Sequence, residues 1–265
     1  MRIALGIEYD GRRFGGFQIQ RGIRTIQGEL ERALSAIADA PVRVLPAGRT
    51  DAGVHAREQV IHFDTQACRS EQAWREGGNS HLPPDVSVRW AKTVPPDFHA
   101  RRSALMRCYH YRILVRPSRP ALEAGRVYWS REALDLEAMR EALLGLEGEH
   151  DFSAFRSAGC QSQSTRRRLD RLALRVSGAE ITLEVAGNAF LYHMVRNLAG
   201  SLLEVGRRHQ SPDWLRELLA RGDRTRAGPL LPADGLYLWQ ILYPERFGFR
   251  GSLPYPDHPP PLSIT

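Results

Sequence analysis

Gly48-Arg49-Thr50-Asp51-Ala52-Gly53-Val54-His55-Ala56 sets one acid between two glycines, with an arginine two positions ahead of it. The apolar segments Val42 to Pro46 before it and Gln59 to Phe63 after it read as strands, so the stretch is a loop between them. Glycine permits backbone angles and close approaches that other residues resist, and flanking strands hold such a loop rigid. Asp51 is therefore presented from a loop and not packed on a helix face. Local chemistry leaves two readings. Asp51 can cap its own turn through an Asx hydrogen bond while Arg49 is a solvated surface charge, or the acid and the arginine can act on a ligand.

Upstream, Ile3, Leu5, Ile7 and Tyr9 alternate with small or polar residues, which predicts a strand over Arg2 to Tyr9 and is unlike a cleavable leader. Asp10 to Arg24 is polar and glycine-bearing, with Arg12, Arg13, Arg21 and Arg24, a loop able to reach a nucleic-acid backbone. Ile26, Leu30, Ala33, Leu34 and Ile37 recur at helical spacing behind Thr25, a natural N-cap, which predicts a helix to about Ala38. With strands near 42–46 and 58–64, a helix over 70–76 and a strand over Val86 to Val94, the order is β-α-β-β-α-β. That is the ferredoxin-like arrangement, an antiparallel sheet carrying two helices on one face.

The order then repeats. Leu105 to Val115 reads as a strand, a helix starts at Asp135, and a loop follows from His150 to Arg168, ending in Arg166-Arg167-Arg168. Leu172, Leu174 and Val176 pair with Ile181, Leu183 and Val185 across a turn at Gly178. A helix over Leu191 to Val205 stops at Gly206, Ser211-Pro212-Asp213 begins a short helix closed by Gly222, and Leu236 to Tyr243 is the last strand. The expected fold class is α+β: two ferredoxin-like domains over 1–104 and 105–250, then a proline-rich extended tail over 251–265.

A chain of 265 residues suffices for two domains of ordinary size. Its 42% hydrophobic and 25% charged residues are ordinary for a globular protein, and no apolar run approaches the roughly 18 residues of a membrane helix. No membrane partner is expected, and the cytoplasm is the expected compartment. Cys68, Cys108 and Cys160 are odd in number and far apart, and the histidines are scattered, so neither a disulfide framework nor a metal site is expected. The net charge of +7 points to a polyanionic partner. Of 37 lysines and arginines, Lys92 is the only lysine. Arginine grips phosphate with a planar fork, but a G+C-rich genome produces the same skew, so net charge is the better argument.

The string GRTDAGVHA resembles the signature of the tRNA pseudouridine synthase A (TruA) family, and further matches follow in family order. They include Tyr9-Asp10-Gly11 with Phe14-Gly15-Gly16-Phe17-Gln18, Phe98-His99-Ala100-Arg101 and Tyr109-His110-Tyr111. The segment Gly187-Asn188-Ala189-Phe190-Leu191-Tyr192-His193-Met194-Val195-Arg196-Asn197 and Gly235-Leu236-Tyr237-Leu238 complete them, so the likeness runs from residue 9 to about 243.

The resemblance implies isomerisation of uridine to pseudouridine at positions 38, 39 and 40 of the tRNA anticodon stem-loop, by a homodimer, without cofactor. It makes Asp51 the catalytic residue and Arg196 its charge partner. Arg49 is then the residue that fills the space left by a flipped base, Tyr109 the ring that stacks on that base, and Leu236 the residue closing the other side of the pocket. The expected site is a basic cleft between the two domains with Asp51 at its floor. Phe14 and Phe17 stand where tyrosine and tryptophan are frequent and keep an aromatic contact to RNA in prospect; His110 stands where arginine is frequent.

Two other classes compete. A non-catalytic pair of RRM-like sheets calls for an RNP-type aromatic string on a central strand, which is absent from the sequence. A metal-free ribonuclease calls for two paired histidines, and nothing in the sequence pairs His55 with another.

Overall fold

The computed structural model describes residues 1–249, and the expected tail over 251–265 lies outside them. Strands β1 (Arg2–Tyr9), β2 (Leu45–Pro46), β3 (His55–Asp64) and β4 (Val86–Val94) alternate with helices α1 (Ile26–Ala38) and α2 (Glu71–His81). Then come β5 (Met106–Val115), β6 (Tyr128–Ser130), α3 (Leu136–Leu143), β7 (Gly148–Asp151), β8 (Arg166–Ser177) and β9 (Glu180–Gly187). Helices α4 (Met194–Gly206) and α5 (Trp214–Arg221) and strand β10 (Leu236–Leu242) complete the described chain. All ten strands join in one sheet, in the order β4-β1-β3-β10-β5-β9-β8-β7, with β2 beside β3 and β6 beside β5.

The last strand makes the sheet continuous. β10 runs antiparallel to β5, pairing Leu238 with Tyr109, and parallel to β3, pairing Tyr237 with His55 and Leu238 with Ala56. Each half follows the same pairing sequence: β4-β1-β3-β2 in the first and β10-β5-β9-β8 in the second, antiparallel throughout. Alternation puts Tyr109, Tyr111 and Ile113 on the helix-covered face of β5 and His110 and Arg112 on the other. Two apolar clusters fill the covered face. One gathers α1 and α2 over β1 and β3, the other gathers α3, α4 and α5 over β5 and β9, and Tyr109 packs against both.

The helix starts follow their caps. Thr25, Ser70 and Asp135 each accept a hydrogen bond from the backbone N–H three residues on, worth about 1 kcal/mol apiece. Several boundaries differ from the sequence reading. α2 runs through Gly77 and Gly78 to His81, because these glycines are packing positions: a methyl on Gly78 would stand 3.1 Å from Val88 and one on Gly77 3.3 Å from Ile37. Only Leu45–Pro46 of the expected strand 42–46 pairs, while β3 begins earlier, at His55. Arg166, Arg167 and Arg168 lie in β8, paired with the unforeseen β7, where Arg166 meets Glu149 at 3.0 Å. α4 starts three residues late because His193 takes a left-handed φ of 61° ahead of it. Asp213, and not Ser211, is the N-cap of α5.

Candidate active site

The Asp51 loop is held from every side except its acid. Thr50 Oγ1 and Tyr9 Oη share a buried 2.7 Å hydrogen bond, and the Thr50 carbonyl accepts from Phe17 N at 2.9 Å. Gln59 Nε2 donates to the Gly48 carbonyl at 2.5 Å, Val54 N donates to the Asp51 carbonyl at 3.2 Å, and Gly53 N donates to the Phe14 carbonyl at 3.3 Å. Gly16, at φ 98°, lies so close beneath the loop that a methyl there would stand 2.9 Å from the Thr50 carbonyl, which only glycine avoids. Phe14 and Phe17 are buried at 4% and 1% exposure. Their expected contact with RNA is thereby overturned: they are core residues that seat the loop.

The motif histidine serves the same purpose. His55 Nδ1 accepts from Gly11 N at 3.2 Å, so its proton resides on Nε2, which donates to the Gly125 carbonyl at 3.1 Å. Burial holds its imidazole below the usual value. His55 is thus a neutral strut between two loops.

Asp51 itself is one-third exposed, and among the described residues its carboxylate accepts no hydrogen bond. The Asx turn that local chemistry allowed is therefore absent. His193 Nε2 lies 3.4 Å from Oδ2, at ion-pair reach and long for a hydrogen bond. Burial pushes the carboxyl up from its ordinary value, and the charges of His193 and Arg196 oppose that rise. Arg196 sits in the first turn of α4, anchored by Nε to the Leu231 carbonyl at 2.7 Å, and its charge reaches Asp51 through space without a hydrogen bond between them. The N-terminus of α4 adds the positive end of a helix dipole beside the carboxylate.

Tyr109 completes the wall. Its ring meets Phe190 edge-on at 4.9 Å between centroids, and a methyl on Gly48 would stand 3.9 Å from its hydroxyl. Burial pushes its phenol up to about 12, with Arg107 opposing and Asp51 adding to the shift. The structure thus brings Asp51, Arg196 and Tyr109 together from the loop, α4 and β5. Leu236 is 6% exposed at the start of β10, paired with Tyr111 two residues along β5 from Tyr109, and packs in the second apolar cluster. Arg49, two positions before Asp51, is exposed and has no acidic partner among the described residues.

Two contributors escaped the sequence reading. Arg107 is half-buried without a carboxylate; its guanidinium donates to the carbonyls of Ala47 at 3.1 Å, Arg101 at 2.6 Å and Asn188 at 2.8 Å. It ties the segment before Asp51 to the segment before Phe190. His193 is the other, and its place inside the Gly187–Asn197 segment was the available signal. Exposed Arg101 and Arg102 flank the Arg107 clamp without an acidic partner among the described residues.

The opposite face of the sheet holds a cavity of about 750 Å³ lined by His55, His110, Arg112, Glu180, Tyr237 and Trp239, among others. It contains neither Asp51 nor Tyr109. His110 stacks on Trp239 there at 4.1 Å, directed away from the acid. Among the described residues there is no cluster of three or more groups suited to a metal ion, and no helix is long and apolar enough to cross a membrane.

A family model described as tRNA pseudouridine synthase matches residues 6–101 and 142–244. A tRNA pseudouridine synthase A of Methylococcus capsulatus is 56% identical over 248 residues, spanning 94% of this chain and 92% of its own. A protein of the same name from Aeromonas hydrophila is 51% identical over 264 residues, 98% of both chains, and one from Dechloromonas aromatica is 52% identical over 248 residues.

Proposed function

The chain belongs to the tRNA pseudouridine synthase family, and from that premise we propose that it is an isomerase that converts uridine to pseudouridine in tRNA, with Asp51 as the catalytic carboxylate. The reaction breaks the bond from C1′ to N1, turns the base, and joins C1′ to C5. C5 loses a proton and N1 gains one, so atoms and charge balance without redox change or added group, and no cofactor is called for. What the reaction needs is an ionised carboxylate, a charge that keeps it ionised in a half-buried place, and a surface for the loosened base.

The observation that carries this reading is the Asp51 carboxylate: one-third exposed, free of hydrogen bonds within the described chain, and under the influence of both His193 and Arg196 on a loop tied to its neighbours at Gly48, Thr50, Gly53 and Val54. A turn-forming aspartate spends its oxygens on nearby N–H groups. This one is kept open. Attack on the sugar, attack on the ring and removal of a sugar proton all begin from the same ionised carboxylate, and Arg196 and His193 favour that form in each case.

A uridine stacked in a stem must be swung out before Asp51 can reach it, at a cost of about a few kcal/mol. Tyr109 would stack on the extruded base, Phe190 fixing the ring's angle from its edge. Arg49, exposed beside the acid, would enter the vacated stack. Leu236, nearly buried, would offer the pocket only an edge of its floor. The family resemblance further places the target uridines at positions 38, 39 and 40 of the anticodon stem-loop and makes the enzyme a cytoplasmic homodimer built of two ferredoxin-like domains divided near residue 104. The repeated antiparallel pairing in the two halves supports the last point.

The decisive assay uses transcribed tRNA carrying tritium at C5 of uracil, because only chemistry at that carbon releases the label. The parent enzyme should release it. Asp51→Asn, which keeps shape and turn chemistry but has no carboxylate, should lose on the order of 10³-fold or more in rate while still binding tRNA. A folded Asp51→Asn protein that releases tritium near the parent rate would sink the assignment.

A further inference from the structure

The contact between Asp51 and His193 is the end of a chain of side chains whose donors and acceptors can be assigned one by one. Arg224 Nη2 meets Asn197 Oδ1 at 2.8 Å, and since a guanidinium can only donate, the Asn197 oxygen is fixed as the acceptor. The amide nitrogen then donates to the Phe155 carbonyl at 2.8 Å and to Ser157 Oγ at 3.2 Å; Asn197 is fully buried, so neither bond competes with water. Ser157 Oγ next meets His193 Nδ1 at 3.1 Å. An ionised Asp51 requires a donor on the other ring nitrogen, and a neutral imidazole has one N–H. Nδ1 must therefore accept the Ser157 proton, and Nε2–H faces Asp51 Oδ2 at 3.4 Å.

The backbone is also committed to this arrangement. His193 holds a left-handed φ of 61°, costly for a residue with a branched ring, and it does so as the N-cap residue of α4 without using its side chain as a cap. Ser157 N donates to the Tyr192 carbonyl at 3.1 Å, and the Tyr192 and His193 rings stack at 3.7 Å, so the imidazole has little freedom to turn.

From this geometry we infer that His193 is a positioning residue for the reaction: a neutral imidazole, locked in its Nε2–H tautomer by Ser157, that orients the Asp51 carboxylate and holds it ionised together with Arg196. The inference rests on the reading of Asp51 as the catalytic carboxylate. The charged groups facing the imidazole are Asp51 from the loop, Arg196 from its own helix and Arg224 from the turn at Arg224–Arg226; burial and the two arginines oppose an imidazolium, while Asp51 favours it. The ring therefore acts as a neutral donor, whereas Arg196 supplies the full charge. The 3.4 Å separation is long in the free enzyme, as catalytic hydrogen bonds often are before substrate closes on them.

The test is the single-turnover rate of tritium release as a function of pH, with tRNA affinity and thermal unfolding measured beside it. His193→Phe keeps a ring against Tyr192 but removes the donor; His193→Gln restores an N–H near the Nε2 position. Loss of a hydrogen bond to a charged group is worth about ten- to a hundredfold, so His193→Phe should slow release by that factor with tRNA affinity nearly unchanged. Because Asp51 must be ionised and has lost one group that lowers its pKa, the acid limb of the pH profile should move to higher pH. His193→Gln should recover most of the rate and return the limb towards its parent position. Ser157→Ala, which frees the tautomer without touching the ring, should move the limb the same way by less, and it serves if His193→Phe does not fold.

A folded His193→Phe or Ser157→Ala with the limb in place overturns the inference, as does a rate loss that His193→Gln fails to relieve. Asp51→Asn separates the two readings. If it is inactive while His193→Phe behaves as parent, only the role of His193 falls; if it stays active, the assignment of Asp51 falls first.

Discussion

The two faces of the sheet treat charge in opposite ways around the same strands. On the open face near His110, Arg112 makes a two-pronged contact with Glu180 at 2.7 and 2.8 Å, Arg171 meets Glu184, and Asp10 takes both Arg12 and Arg126. On the helix-covered side, Asp51 accepts no hydrogen bond, Arg196 is held by one carbonyl, and Arg49, Arg101 and Arg102 have no acidic partner among the described residues. Where charges are matched internally, a ligand has nothing to satisfy and the groups serve the fold. Where they are left open beside a rigid loop, they are available to a substrate. The cavity of about 750 Å³ lies on the matched face, so a cavity alone does not mark the side that holds Asp51.

The sharpest way to break this comparison is Arg196→Met. Arg196 acts on Asp51 through its charge, from beyond ion-pair reach; at an effective dielectric near that of a protein surface such a charge is worth about 3 kcal/mol, and because Asp51 is one-third exposed, water screens part of that. A discounted figure of about 2 kcal/mol corresponds to roughly a 30-fold loss in tritium release at neutral pH. The sign follows from the direction of the shift: burial already raises Asp51, and Arg196 opposes that rise. Without Arg196 the carboxylate ionises only at higher pH, so the deficit should shrink as pH rises. A loss that is the same at every pH would mean that Arg196 acts on the RNA and not on Asp51.

Glu180→Gln tests the matched face, where the expected effect is smaller and of another kind. Arg112 holds the Glu180 carboxyl below its ordinary value, and both side chains are a little over a quarter exposed. A group with a depressed folded pKa stabilises the fold above its unfolded pKa, and this contribution is lost as pH falls through the folded value. Glu180→Gln should therefore lower stability by about 1 kcal/mol at neutral pH and flatten the fall in stability on acidification, read by denaturant unfolding at several pH values. Tritium release should stay within about twofold of parent. A large loss of release from a folded Glu180→Gln protein would remove the distinction between the faces.

How much of this was legible beforehand depended on whether a residue's task is local. Thr25, Ser70 and Asp135 were readable as helix caps because a cap bonds within its own turn. The helix expected over 70–76 runs on through Gly77 and Gly78, and the contacts that suit glycine there, with Ile37 and Val88, come from other elements. Phe14 and Phe17 stood in a polar, arginine-rich stretch, and only the folded chain places the Asp51 loop on top of them. The site divided along the same line. As candidates, Asp51, Arg196 and Tyr109 could be named from motif strings, whereas Arg107 and His193 touch segments about 40 to 140 residues away in the chain, which no local string reveals. Arg166, Arg167 and Arg168 read as the end of a loop because their partner strand, β7, is not marked by alternation in the sequence.

The smallest expected effect concerns the unmatched cations themselves. If Arg49 and Arg101 face tRNA phosphates, each contact formed releases condensed counterions, and log affinity falls linearly with log salt by about 0.7–0.9 per phosphate neutralised. Parent enzyme should show a steep slope, measured by fluorescence titration of tRNA across a range of salt concentrations. Arg49→Gln together with Arg101→Gln should lower the magnitude of that slope by about 1.4–1.8 while leaving the unfolding midpoint in place, because neither side chain has an acidic partner to lose. Arg171→Gln on the open face has Glu184 as its partner and should leave the slope alone. If the open-face change flattens the slope and the pair at 49 and 101 does not, the nucleic acid lies across the other side of the sheet and the contrast between the faces must be read in reverse.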